Sequence, residues 1–375
     1  MNIALLGFGV VGGGVYEWCK ERKDICVKRV LVRSEKPEIA AIATKAFDDI
    51  LRDDTIDTVA ECMGGLHPAY EYVSRALKAG KNVVTANKAL VAAYYTELIA
   101  LAKENGAALR CTAAVGGGIP WLINLERCAR LDQLCEVGGI MNGTTNYIMD
   151  AMHRADVDFG DILKQAQELG YAEADPSADI DGDDIRRKLV ISANVAFGVS
   201  IEESAVPTFG IRCVTKEDIR LFKAHGFACK MLAKAERTES GVCAYIEPTL
   251  VGANDLEAAV PANFNLISYV GEQIGRQSFF GQGAGRFPTA ANVVQDCLDI
   301  AGGQKTFYAE NADTAALACT EAHPYYVRCK EPDDFLRGLI AETWAENCYV
   351  TGAVPCDKMI SWAKQHPGCF IAGIR

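Results

Sequence analysis

Met1-Asn2-Ile3-Ala4-Leu5-Leu6-Gly7-Phe8-Gly9-Val10-Val11-Gly12 opens the chain as a short apolar run closed by a glycine-rich turn. Residues 3–6 read as a strand and residues 10–23 as the helix that it feeds. Gly7, Gly9 and Gly12 stand at the G-x-G-x-x-G spacing of a dinucleotide-binding turn. Gly7 permits the tight turn, and Gly9 lets the backbone approach a pyrophosphate. Gly12 lets the helix pack close to the strand, and the helix N-terminus supplies N–H donors and positive potential. Phe8, Val10 and Val11 fill the remaining positions of the turn. The plain alternative is a glycine-rich turn with no ligand, but the strand–turn–helix context argues against it.

Working outward, strand and helix signals alternate through the first third. Residues 27–32, 58–63, 82–86 and 108–113 read as strands, and 68–79, 94–105 and 119–130 as helices. Short apolar runs separated by amphipathic stretches mean βαβ units and a parallel sheet. The end of the second strand selects the cofactor: an acidic residue takes the ribose 2′-OH of NAD, a cation the 2′-phosphate of NADP. Arg33 and Ser34 occupy that place and favour NADP, with a solvated surface Arg as the alternative. Glu35 leaves room for NAD.

After residue 130 the pattern becomes α+β. Helices are expected at 147–155, 159–169 and 183–199, and strands at 209–211, 229–236, 242–250 and 277–281. A helix at 289–301 follows a second glycine-rich turn, and 303–324 reads as a polar, Ala-rich linker. The tail restarts as strand 325–329, helix 333–345, strand 348–354, helix 357–364 and strand 369–374. The expected domains are 1–130, with 282–302 packing back on it; 131–281; and 325–375. No internal repeat or low-complexity tract interrupts them.

At 375 residues, two or three domains are expected. Half of the chain is hydrophobic and 23% is charged, which excludes wholesale disorder. Lys+Arg number 38 against 49 Asp+Glu, a net charge of −11. An acidic chain without a basic run is a poor nucleic-acid or anionic-membrane binder. Its apolar runs fall well short of the ~20 residues of a spanning helix. The first residues lack the basic and apolar regions of a secretory signal. Fifteen cysteines are scattered without a CxxC pair or a neighbouring His cluster, so neither a disulfide framework nor a zinc site is expected. They read as small buried hydrophobes kept reduced in a cytoplasm.

Two further places carry chemistry. Lys88, in Val83-Val84-Thr85-Ala86-Asn87-Lys88, follows the carboxyl end of a parallel strand, the edge where such sheets bind ligands. The stretch 170–188, GYAEADPSADIDGDDIRRK, packs six carboxylates between Glu173 and Asp184 before three cations. Its spacing does not fit an EF-hand loop. Asp184 and Lys188 stand at i and i+4 on one helix face. They form either a helix-stabilising ion pair or, facing a cleft, an acid/base lysine with a carboxylate to orient it.

Together these segments resemble the homoserine dehydrogenases, from residue 1 to about 301. The resemblance is carried by 7–12, Ala86-Asn87-Lys88, Val115-Gly116-Gly117-Gly118-Ile119-Pro120, Gly139-Ile140-Met141-Asn142-Gly143-Thr144-Thr145-Asn146-Tyr147, 169–188 and 283–290. The NGTTNYI run and the 171–188 stretch are its most specific parts. Such membership implies an α/β fold: an N-terminal Rossmann domain followed by an α+β domain that holds substrate and dimerises. It implies NADP- or NAD-linked interconversion of L-homoserine and L-aspartate 4-semialdehyde, in threonine and methionine biosynthesis, by a homodimer or higher homo-oligomer. Lys188 is then the proton donor and acceptor, with Lys88 and Asp184 beside it. Glu173, Asp179, Asp184 and Lys88 would hold substrate, and Met63, Gly64, Lys88, Gly170 and Gly285 would join residues 7–12 and Arg33 at the cofactor.

Two departures stand out. Many members place Glu where this chain has Thr112, next to the Val115, Gly117 and Ile119 carbonyls that hold a monovalent cation. A hydroxyl carries no charge, so Na⁺ is expected to bind weakly or not at all. Many members also end in a βαββαβ ACT domain, whereas 325–375 read βαβαβ, one strand short; weak or absent threonine inhibition is the consequence expected. Competing readings are another amino-acid dehydrogenase, of aspartate or saccharopine type, and a redox-sensing module that only detects cofactor. Neither requires the NGTTN run together with Lys88, Glu173 and Lys188.

Overall fold

Six parallel strands build the first sheet: β1 (Asn2–Leu6), β2 (Cys26–Leu31), β3 (Ala43–Thr44), β4 (Thr58–Glu61), β5 (Asn82–Thr85) and β6 (Leu109–Arg110). Their order is β3-β2-β1-β4-β5-β6, that of a Rossmann dinucleotide-binding fold. Leu5 stands opposite Val30 on one side and Ala60 on the other. The strands β1, β4 and β5 are buried along nearly their whole length, as expected of a parallel sheet covered on both faces. This sheet belongs to a unit made of Met1–Asp132, Val190–Ser200 and Gly281–Asp313. The computed structural model describes residues 1–304, 313–317, 319 and 321–375, so 305–312, 318 and 320 of the linker expected at 303–324 lie outside the described residues, while Asp313–Thr314 and Ala322–His323 form short strands.

Helix α1 (Val10–Cys19) packs on the helix Arg286–Ala301, and Val15, Cys19, Val293, Val294 and Cys297 share one core with Ile3, Leu5 and Val84. The crossing is close at Gly14, where a Cβ would lie 2.7 Å from the Arg286 carbonyl oxygen and 2.9 Å from the Ala290 Cβ. β3 and the five-residue helix Phe47–Leu51 escape the sequence reading because elements this short carry no periodicity. The helix expected at 94–105 begins earlier, at Lys88. It kinks at Tyr94 (φ −125°, ψ 24°), where the regular pattern picks up.

The second unit comprises Gln133–Leu189, Ile201–Phe280 and Thr314–Arg375. Its nine-stranded sheet runs Gly275–Gln282, Phe264–Gly271, Leu134–Ile140, Phe227–Thr238, Gly241–Gly252, Phe370–Ile374, Tyr325–Arg328, Cys348–Thr351 and Ile340–Ala345. The strands Leu134–Ile140 and Phe264–Gly271 and the helix Lys216–Ala224 are additions to the sequence reading. The strand expected at 209–211 is absent; Thr208 makes only an isolated bridge to Ile246.

The tail corrects the sequence reading most. The helix expected at 333–345 stops at Leu339, and Ile340–Ala345 is a strand. Phe335, Leu336, Leu339, Ile340 and Trp344 have helical spacing, but Ile340, Thr343 and Trp344 also favour extended backbone. Asn347, at φ 60°, turns the chain into Cys348–Thr351, which pairs antiparallel with Ile340–Ala345. The tail is therefore β-α-β-β-α-β, with its four long strands in the order fourth, first, third, second, and no strand is missing. Its last strand pairs parallel with Gly241–Gly252 through Thr249↔Gly373 and Leu250↔Ile374. No helix among the described residues is long and apolar enough to cross a membrane.

Candidate active site

The first unit carries a dinucleotide cradle at the carboxyl edge of its sheet. Gly7 has φ +95°, which L side chains rarely adopt, and a Cβ on Gly12 would lie 2.2 Å from the Gly7 carbonyl oxygen. A Cβ on Gly9 would meet nothing within 4 Å, so its backbone faces open space. The first turn of α1 holds no acidic side chain and its N-terminus has no side-chain cap, leaving its N–H groups to a ligand. Phe8 and Val11 are half-buried beside the turn and Val10 is exposed. Arg33 and Ser34 follow β2 and are exposed. Met63 and Gly64 form the loop after β4, and Gly285, at φ +128°, precedes the helix Arg286–Ala301.

That loop is shaped by Glu61, which the sequence reading passed over. Its Oε1 accepts the Met63 and Gly64 N–H groups at 2.7 and 3.2 Å, and its Oε2 accepts the Thr85 hydroxyl at 2.5 Å. Burial raises the Glu61 carboxyl pKa, while these hydrogen bonds work the other way. Thr85 Oγ1 accepts the Asn87 N–H at 3.0 Å, and Asn87 Nδ2 donates to the Gly65 carbonyl at 2.6 Å. Asn87 Oδ1 caps the next helix by accepting the Leu90 N–H at 3.1 Å. Half-buried Lys88 therefore starts that helix from a fixed base. An acidic residue ending an apolar strand was the only signal for Glu61 in the sequence.

The carbonyls assigned to a cation face a protein donor. Asn292 Nδ2 donates to the Gly117 oxygen at 2.6 Å and to the Ile119 oxygen at 3.1 Å. Val115 is fully buried. Thr112 donates its hydroxyl to Asp296 Oδ1 at 2.7 Å and its N–H to Oδ2 at 2.8 Å. Asp296 also pairs with buried Arg110 at 3.1 Å. Burial pushes the Asp296 carboxyl up to about 6, against the pull of Arg110 and Thr112.

The second unit brings together residues that the sequence keeps far apart. Asn142 caps the helix Gly143–Ala155 by accepting the Thr145 N–H at 2.8 Å. Its Nδ2 donates to Asp179 Oδ1 at 2.7 Å and to Asp184 Oδ2 at 2.8 Å. Asp184 pairs with Lys188 at 2.8 Å, and Lys188 Nζ donates to the Met141 carbonyl at the same distance. One amide thus aligns two carboxylates, and one carboxylate with one carbonyl aims a buried ammonium. Asp179 is half-buried and Glu173 exposed. Gly170, at φ +73°, ends the run after the helix Phe159–Glu168, and Thr144 donates to the Tyr171 carbonyl at 2.6 Å. Asn142 lies inside the NGTTN run, yet nothing in the sequence showed that it joins both aspartates.

Comparison with known proteins agrees with both halves. Residues 7–112 match the family model described as "Homoserine dehydrogenase, NAD binding domain", and residues 120–298 the one described as "Homoserine dehydrogenase". The chain is 37% identical over 314 residues to homoserine dehydrogenase from Bacillus subtilis, covering 80% of this chain and 72% of that protein. It is 36% identical over 356 residues to the Lactococcus lactis enzyme, covering 89% and 83%. The crystal structure of a homoserine dehydrogenase from Thiobacillus denitrificans superposes with a TM-score of 0.90 at 30% identity, covering 100% of this chain and 98% of that one.

Proposed function

The chain belongs to the homoserine dehydrogenase family, and on that premise we propose that it interconverts L-homoserine and L-aspartate 4-semialdehyde with NADP as the preferred cofactor. It is an oxidoreductase acting on a CH–OH group, and its first unit is an NAD(P)-binding domain. The observation that carries the residue assignment is the Asn142–Asp184–Lys188 chain of hydrogen bonds. Oxidising a primary alcohol removes one hydride and one proton, and a bound nicotinamide supplies the hydride acceptor. Lys188 takes the hydroxyl proton in that direction as the neutral amine and, as the ammonium so formed, returns it in aldehyde reduction. Asp184 and the Met141 carbonyl position Lys188 Nζ. Asp179 and Glu173 hold the substrate ammonium, and Lys88 contributes a second cation to substrate and nicotinamide.

On the cofactor, the residues present fit a dinucleotide. Gly7 to Gly12 leave room for the pyrophosphate at the α1 N-terminus, with Met63 packed beside Gly7; the family resemblance adds Gly64, Gly170 and Gly285 to the cofactor residues. Exposed Arg33, with Ser34 beside it, supports the 2′-phosphate of NADP. The Gly117 and Ile119 carbonyls already accept from Asn292, which supports weak binding of Na⁺ or none. For the tail, the complete β-α-β-β-α-β order supports an ACT-like module, whole in strand number. The ground for expecting weak threonine inhibition, a missing strand, is thereby removed. The second unit is assigned to substrate binding and to assembly of a homodimer, in a cytoplasmic enzyme. A spectrophotometric assay of L-homoserine oxidation with NADP⁺ and with NAD⁺ tests the reading; absence of turnover with both overturns it.

A further inference from the structure

Cys243, Cys319 and Cys356 bring their three sulfurs within 4.8 Å of one another. Cys243 lies in the strand Gly241–Gly252, Cys356 opens the helix Cys356–Gln365, and Cys319 comes from the segment ahead of the tail. None of the three is near the dinucleotide cradle or Lys188 in the sequence, and the proposed reaction uses none of them.

The positions are fixed from both sides. The Ala244 N–H donates to Cys319 Sγ at 3.2 Å, and the Cys319 Sγ lies 3.0 Å from the Ala244 oxygen. The Cys356 N–H donates to the Glu321 carbonyl at 3.1 Å, and Ala322 and His323 pair with Pro355 and Val354. Cys243 and Cys356 are fully buried among Tyr245, Tyr325, Met359 and Ile371. Cys356 is the first residue of a ten-residue helix. All three cysteines are free thiols.

We propose that these three thiols form a binding site for a soft divalent cation, zinc above all, which ties the tail to the strand Gly241–Gly252. Zinc–thiolate bonds are about 2.3 Å long, which sets tetrahedral sulfur–sulfur separations at about 3.8 Å. The observed triangle needs to contract by no more than about 1 Å to reach that size. Binding displaces the thiol protons, so Zn²⁺ enters and up to three H⁺ leave. Glu321, two residues after Cys319, pairs with Lys234 through Oε1 at 2.8 Å and keeps a buried Oε2 without a hydrogen-bond partner, which is the oxygen assigned here as a fourth ligand. A search for CxxC spacing misses this site because its ligands come from three separate segments.

The test uses the full chain, reduced, stripped with a chelator and titrated with Zn²⁺ against a chromophoric competitor, with the stoichiometry read by native mass spectrometry. The expected result is one zinc per chain, bound at least about 100-fold more weakly in C243S, C319S and C356S and unchanged in C26S, whose thiol is exposed. Co²⁺ in place of zinc should show charge-transfer absorption of the intensity of three thiolates. If C243S or C356S fails to fold, C319S decides, because that half-buried residue lies outside the helices and strands. No stoichiometric zinc, undiminished binding in C319S, a cobalt spectrum of fewer than three thiolates, or a disulfide between two of these cysteines in the reduced preparation overturns the proposal.

Discussion

Lys188 Nζ lies 2.8 Å from Asp184 Oδ2, with one tenth or less of either side chain exposed. A surface i,i+4 pair is worth only a few tenths of a kcal/mol, about 0.3–0.5. Here the geometry does something else: Asn142 and the Met141 carbonyl hold the same two groups, so the ammonium has one direction to point. Lys188→Ala should lower kcat by about 10²–10⁴-fold while NADPH binding, measured by fluorescence titration, stays intact. Asp184→Asn keeps the shape and removes the charge, and should cost less. Near-normal kcat in Lys188→Ala would remove Lys188 from the reaction.

On the proposed reading, Arg33 selects NADP by its charge. It is exposed after β2 and makes no ion pair among the described residues. Arg33→Ala should raise KM for NADP⁺ and leave KM for NAD⁺ nearly unchanged, since only the former has a 2′-phosphate. Equal losses with both cofactors would make Arg33 a structural residue.

How far these assignments could be read in advance depended on the distance over which each signal acts. The Gly7–Gly12 turn, β1, β2, β4 and β5 and the Asp184–Lys188 pair are local patterns, and all were legible. Asn142 bonding to Asp179 and Asp184 spans about forty residues, and Asn292 meeting Gly117 spans many more, so no spacing rule could show either. The Ile340–Ala345 strand failed for another reason. Its apolar residues fit a helix and a strand equally well, and pairing with Cys348–Thr351 decides between them.

His153 should make the second unit acid-sensitive. Its Nε2 accepts the Cys229 N–H at 2.8 Å, which requires a neutral ring. Burial, then Lys230 and Lys223, pull its pKa down to about 4, with Asp150 opposing. The unfolded ring titrates near 6.5, so below that pH the unfolded state binds the extra proton. The His153 contribution is therefore present above pH ~6.5 and is lost as pH falls towards about 4. Urea unfolding at pH 7.5 and pH 5 should show the loss, and His153→Gln should reduce the difference. An unchanged pH slope in that variant would exclude His153 as its source.

Asn292 should make turnover indifferent to sodium. Its amide already donates to the Gly117 and Ile119 carbonyls, and the Thr112 hydroxyl is committed to Asp296. Replacing NaCl by a tetraalkylammonium chloride at equal ionic strength should leave kcat and KM within assay error. A clear fall in rate, restored by Na⁺, would show that a cation competes successfully with the amide.

The tail should be inseparable from the second unit. Tyr325 donates to Glu247 at 2.8 Å, and Tyr326 and Arg328 reach Asp218 at 2.7 and 2.8 Å. Glu247 and Asp218 are almost completely buried, so removing the tail strips both carboxylates of these partners. It also uncovers Cys243 and Tyr245, which share a core with Tyr325, Val327, Met359 and Ile371. Deleting residues 321–375 should therefore give an insoluble or uncooperatively unfolding chain. Arg328→Ala is the gentler probe. Because it leaves the Asp218 carboxylate buried and short of a cation, it should cost roughly 3 kcal/mol in urea unfolding. A truncated chain with the full-length Tm and kcat would mean that the strand Phe370–Ile374, although paired with Gly241–Gly252, adds nothing to the stability of the sheet.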